Sequence, residues 1–163
     1  MFLRHKAVRF SRNGVVRCKA SLEEVFPLLC PKMEEKWIPG WECETIWSES
    51  GYNEEGAIFK TVKPYDTELY WATVRHDIKN KIIAFLITAP ELYIFDFKLE
   101  LEIKDGGVIE IAFIQTFTSV SEDGDVFLHR YELDDFKGKL KKLEEFLNDY
   151  LAAGRNKTGR DPD

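Results

Sequence analysis

Two long segments in the middle of the chain alternate apolar and polar residues with a period of two, and a turn joins them. Tyr93, Phe95, Phe97, Leu99, Leu101 and Ile103 interleave with Asp96, Lys98, Glu100 and Glu102. Asp105-Gly106-Gly107 reads as a hairpin turn. Ile109, Ile111, Phe113, Gln115 and Phe117 then answer on the returning strand. Such alternation makes an antiparallel pair with one wet and one dry face. The dry face must be covered by another layer, and the rest of the chain has to supply it.

The cover is visible further on. Leu133, Phe136, Leu140, Leu143, Leu147 and Tyr150 step by three and four, which is one apolar stripe on a helix. The run Leu140-Lys-Lys-Leu-Glu-Glu-Phe-Leu147 is made of strong helix formers. The pattern predicts one continuous helix over 126–152, about 40 Å long. Gly154 is the expected stop, and the polar residues 155–163 are expected to be a disordered tail.

Earlier segments read as strands over 6–18, 42–50, 56–62, 69–77 and 81–88. Asn13-Gly14 predicts a bend or break in the first of them. Ser21 with Glu24 forms a capping box, and the helix behind it contains Pro27, so it should be short or kinked. A second brief helical piece is expected over 32–36. The order is strand, two short helices, six strands and a long helix. It predicts an α+β helix-grip domain over 1–154, in which a curved antiparallel sheet wraps around the C-terminal helix.

Composition narrows the partners. The 163 residues carry a formal charge of −6, which argues against nucleic acid and against anionic membrane surfaces. The longest apolar run, from Ile82 to Ile87, suits a strand and falls far short of the ~20 residues that insert in a bilayer. The first residues, Met1 to Lys6, contain no signal-peptide core. Cys18, Cys30 and Cys43 are odd in number and lack metal-ligand spacing. The expectation is reduced thiols in a cytoplasmic protein, with no metal and no cofactor.

Particular residues carry a family likeness. The stretch from Ala20 to Leu29, followed by Trp37-Ile38-Pro39-Gly40-Trp41, resembles the start of an SRPBCC (START / polyketide cyclase-like) domain. Glu55-Gly56-Ala57-Ile58-Phe59 is similar to that superfamily's turn and strand, and Trp71 to Asp77 resembles its next strand. The resemblance implies a helix-grip fold binding a lipid, aromatic or polyketide-like ligand. It implies no reaction, because the superfamily contains carriers, cyclases and partner-binding modules.

The aromatic load supports a cavity. The chain has twelve Phe, six Tyr and four Trp. Trp37, Trp41, Trp47, Trp71, Phe59, Tyr93, Phe95, Phe97, Phe113 and Phe117 fall mostly on strand faces or near the tunnel mouth. One helix layer on one sheet has little room to pack so many rings tightly. The expected ligand site lies between the inward faces of Tyr93, Phe95, Phe97, Phe113 and Phe117, the strand around Trp71, and Phe136 and Leu140 on the helix. Gln115, among apolar neighbours, should bond a neighbour, a water or a ligand. Arg75 either points inward to hold a carboxylate or phenolate, or pairs outside with a strand neighbour.

Catalytic signals are sparse. His76 beside Asp77 is read as structural or at the rim, since strand neighbours face opposite ways. His5 is expected in a frayed terminus, and His129 on the long helix. Cys30 and Cys43 lack an activating neighbour and read as buried bystanders. Three readings follow: a carrier of a hydrophobic small molecule; a cyclase/dehydrase- or hydrolase-like enzyme drawing on His76, Tyr65, Asp66 or Glu68; and a protein-binding module like the chaperone-ATPase activators, for which a protein partner is needed.

Overall fold

The computed structural model describes residues 5–62 and 67–158, with side chains up to Arg155. Seven strands form a single antiparallel sheet: β1 Arg9–Lys19, β2 Cys43–Trp47, β3 Ile58–Thr61, β4 Leu69–Asp77, β5 Ile82–Ala89, β6 Tyr93–Lys104 and β7 Val108–Ser119. Their order across the sheet is β1-β7-β6-β5-β4-β3-β2, so all neighbours after β1 are hairpin partners. The chain then closes with α2, Glu122–Leu133, and α3, Phe136–Thr158. This is the curved sheet and C-terminal helix of a helix-grip fold.

The β6–β7 hairpin follows the period-two reading closely. Phe95 pairs with Phe117, Phe97 with Gln115 and Leu99 with Phe113, all on the buried face. Gly106 and Gly107 take positive φ at the turn, where a side chain would be strained. Ile103 is the exception: it lies beyond the covered part of the sheet and is 60% exposed.

Between β1 and β2 the chain crosses from one edge strand to the other. Ser21 caps α1, Leu22–Val25, with both halves of the capping box formed. Pro27 stands where the α-helix gives way to a 3-10 turn, Phe26–Leu28, and a second 3-10 turn covers Met33–Lys36. Phe26, Leu28, Leu29 and Trp37 from this segment enter the core.

Four expectations are corrected. First, β1 does not break at Asn13-Gly14: both residues stay in register with β7, opposite Ile114 and Phe113. Glycine at 14 serves packing rather than a turn. A Cβ there would meet Leu140 Cδ1 at 2.3 Å, because α3 lies down on the backbone of β1. Second, the C-terminal helix is two helices. Asp134 adopts extended backbone and ends α2, which leaves Leu133 88% exposed and outside the stripe. The 23 residues of α3 span about 35 Å rather than 40 Å.

Third, α3 runs through Gly154 to Thr158, so Gly154 is not the stop. Arg155 folds back, donating to the Lys19 carbonyl and lying 3.9 Å from Glu24. The segment past Gly154 therefore begins with a packed residue, and 159–163 fall outside the described residues. Fourth, His5 is anchored. Its Nε2 lies 3.0 Å from Asp125 in the first turn of α2, and His129 is on α2 as well.

Candidate functional site

The concave face of the sheet and the inner face of α3 do not meet everywhere. A curved sheet touches a straight helix at one end and parts from it elsewhere. The gap is a cavity of about 330 Å³. Its sheet wall is Leu69, Trp71, Tyr93, Phe95, Phe97, Phe113, Gln115 and Phe117, and its helix wall is Phe136, Leu140, Leu143 and Phe146. Trp37, Ile38, Pro39 and Trp41 close one end, and Arg12 and Tyr131 stand at the other.

The rings form a continuous series. Trp41 meets Trp71 edge-on at 6.2 Å, Trp71 meets Phe97 at 6.2 Å, and Phe97 meets Phe95 at 6.4 Å. Phe95 stacks on Phe117 at 4.6 Å, and Phe117 contacts Tyr131 at 5.5 Å. Offset and edge contacts of this kind fix the ring planes and keep the wall rigid.

Of the residues expected at the site, Trp71, Tyr93, Phe95, Phe97, Phe113, Gln115, Phe117, Phe136 and Leu140 all border the cavity. Arg75 does not. The pairing register of β4 slips between Thr73 and Arg75, so Val74 is an extra, unpaired residue. The bulge reverses the alternation and turns Arg75 outward, where it pairs with Asp77 at 3.3 Å. Trp47 is 51% exposed, and Phe59 is buried away from the cavity wall. His76 is half-buried against Phe26, and burial lowers its pKa. Glu68 pairs with Lys60 at 3.1 Å, while Tyr65 and Asp66 lie outside the described residues.

The thiols are all free and buried. Burial pushes Cys18 and Cys30 up to about 11 and Cys43 up to about 12, so none is a ready nucleophile. Among the described residues, no group of three or more His, Cys, Asp or Glu converges as metal ligands would. Among the described residues, no helix is long and apolar enough to cross a membrane.

Arg12 and Glu34 are two of the polar groups of the wall that escaped the sequence reading. Arg12 Nε donates to Gln115 Oε1 at 2.8 Å, and its guanidinium lies 4.2 Å from the Phe136 centroid and 5.0 Å from that of Phe117. This contact orients the Gln115 amide with its oxygen toward Arg12. Close by, Tyr93 and Tyr131 share a hydroxyl–hydroxyl hydrogen bond of 2.9 Å, and burial raises the Tyr131 pKa. A signal for Arg12 was present: Phe10, Arg12, Gly14, Val16 and Cys18 are alternate residues of one unbroken strand.

Glu34 is the second. It lies in the 3-10 turn and borders the cavity together with Trp37. In a 3-10 turn residues three apart share a side, so the buried Trp37 brings Glu34 inward with it. Glu34 is partly buried and borders the cavity. Burial pushes its carboxyl up to about 8. Among the described residues it makes no side-chain hydrogen bond or ion pair.

The sign of the resulting pH effect is fixed. The folded chain holds the Glu34 proton up to about pH 8, whereas the unfolded chain releases it near 4.5. Stability from this group is complete below 4.5 and is lost as pH rises toward 8. Glu34→Gln should therefore match wild type in urea melts at the acid end and exceed it by about 1–3 kcal/mol at the alkaline end. A gap between the two proteins that stays constant with pH would contradict the assignment.

No protein-family model matches the sequence, and no curated protein matches it. Solved structures do. Truncated norcoclaurine synthase from Thalictrum flavum superposes with a TM-score of 0.66 at 12% identity, over 92% of this chain and 98% of that one. The ZhuI aromatase/cyclase from Streptomyces sp. R1128 gives 0.58 at 13% identity, over 86% and 96%. Ara h 8.0201 gives 0.58 at 15% identity, over 90% and 99%. Identities this low speak for the fold alone. The chain shares the helix-grip fold of these structures.

Proposed function

We propose that this protein binds, and by binding carries, an apolar ring-bearing small molecule in the cavity between sheet and α3. The observation that supports this most is the cavity itself: about 330 Å³, lined mainly by aromatic and aliphatic side chains and open at its mouth. Protein interiors are close-packed, and an unfilled space of this size forgoes contacts on every wall. The volume is at the small end of ligand pockets and suits a molecule of on the order of ten to fifteen non-hydrogen atoms. A few polar groups at the two ends can orient such a ligand while the rings hold its body.

Carriage is favoured over catalysis because polar groups of the wall are taken up by neighbours that are not acid–base partners, as Tyr93 is by Tyr131. Arg12 bonds Gln115 and the Tyr131 carbonyl, Lys139 pairs with Asp134, and Glu34 makes no side-chain hydrogen bond or ion pair among the described residues. A general acid–base couple needs two groups within reach of the same atoms.

An environment-sensitive dye such as anilinonaphthalene sulfonate should bind and quench tryptophan emission, since Trp37, Trp41 and Trp71 border the void. Phe113→Trp should weaken the dye at least about tenfold by filling the space, at a stability cost of about 1–3 kcal/mol. Equal affinity for variant and wild type would place the dye elsewhere and remove the support for this site.

A further inference from the structure

We propose that the Glu34 end of the cavity is a cation subsite, which takes the ammonium group of an amine whose apolar body fills the aromatic remainder. The inference rests on the ligand-binding reading above and names the class of ligand.

The walls at this end are three indoles with no donor to spare. Trp37 Nε1 donates to the Leu28 carbonyl at 2.9 Å, Trp41 Nε1 to the Pro31 carbonyl at 2.7 Å, and Trp71 Nε1 to Thr61 Oγ1 at 2.9 Å. With their N–H groups committed, the indoles offer the cavity ring surface alone. Ring faces attract cations, and tryptophan does so best. Glu34 is the acid among them, and it has no protein partner among the described residues. A carboxyl in apolar surroundings stays protonated until a positive charge arrives to compensate it.

Among the described residues no ion pair supplies such a charge. Lys139 on α3 is held by Asp134 at 2.7 Å, and Arg12 on β1 bonds Gln115 and the Tyr131 carbonyl. Lys142 on α3 borders the cavity without an ion pair to Glu34, and the phenols Tyr93 and Tyr131 bond each other. The nearby Cys30 and Cys43 thiols remain neutral. An ammonium ion inserted between the indoles would therefore meet a carboxyl with no competing partner.

The proton balance is explicit. At neutral pH the free site holds a carboxylic acid and the free ligand is an ammonium ion. In the complex the carboxylate faces the ammonium, so one proton passes to the buffer for each ligand bound. Affinity for an amine should rise about tenfold per pH unit below the Glu34 pKa of about 8. It should level off there and fall only when the free amine loses its own proton.

The test compares naphthylmethylamine with naphthylmethanol, which match in shape and differ in charge. Calorimetry on the full chain, in buffers of different ionisation enthalpy, reads affinity and proton release together. Wild type should bind the amine at least about tenfold tighter than the alcohol near pH 8, with proton release at neutral pH. Glu34→Gln should bring the amine down to the alcohol's affinity. The wild-type pH profile tests the same point without a variant. If the alcohol binds as tightly as the amine and neither affinity rises with pH, the cation subsite is wrong while the cavity reading stands. If neither compound binds, the cavity reading fails, and this inference fails with it.

Discussion

Replacing Leu147 with alanine should lower the unfolding free energy by about 3–5 kcal/mol in urea melts, among the largest effects of any single substitution in this chain. Leu147 lies on the inner face of α3 and is fully buried. It sits one turn from Leu143 and one turn from Leu151, on the part of the helix that rests directly on the core. Truncation to alanine loses the transfer energy of three carbons and leaves a hole that rigid strands cannot close. Leu140 belongs to the same group: it is buried and fits against Gly14. Leu143 is different, because it is only partly buried and already borders the void. Its alanine variant should cost clearly less, about 1–2 kcal/mol. A Leu147→Ala protein within ~0.5 kcal/mol of wild type would mean that α3 is not the main cover of the sheet.

The second large effect is expected at Gly124. It is the third residue of α2, buried, and its N–H donates to the capping Ser121 Oγ at 3.0 Å. A Cβ added there would stand 1.8 Å from the Leu92 carbonyl oxygen and 2.7 Å from the Leu92 carbonyl carbon. That carbonyl cannot swing away cheaply, because it accepts from the Val120 N–H at 2.9 Å. Alanine would gain about 1 kcal/mol in helix propensity over glycine. Moving the start of α2, and with it the cap and the bond from Ser121 to the Glu91 carbonyl, should cost more than that gain. The net loss should be about 3 kcal/mol, at the upper end of overpacking penalties. A thermal melt of Gly124→Ala that matches or exceeds wild type would show that the first turn of α2 can shift freely.

What the sequence determined by itself is what local periodicity can carry. A period of two in Tyr93–Leu101 and Ile109–Phe117 placed those side chains on one buried face, since a pleated strand leaves no other choice. Steps of three and four placed Phe136 and Leu140 opposite them. Capping at Ser21 and the breaking effect of Pro27 are equally local, and so were readable. The remainder depended on contacts between segments far apart in the chain. Gly14 looked like a turn because nothing nearby says that Leu140, 126 residues later, needs its space. Arg75 looked able to face inward because one unpaired residue, Val74, reverses the alternation only when β4 is aligned on β5. Glu34 stood out in no local pattern, being one residue of a brief helical piece between the exposed Lys32 and Lys36. Only the docking of Trp37 turns it toward the void. Periodicity states which face a side chain takes, but the identity and charge of what lies opposite are set by how the sheet curves away from the helix, and that is a property of the assembled fold.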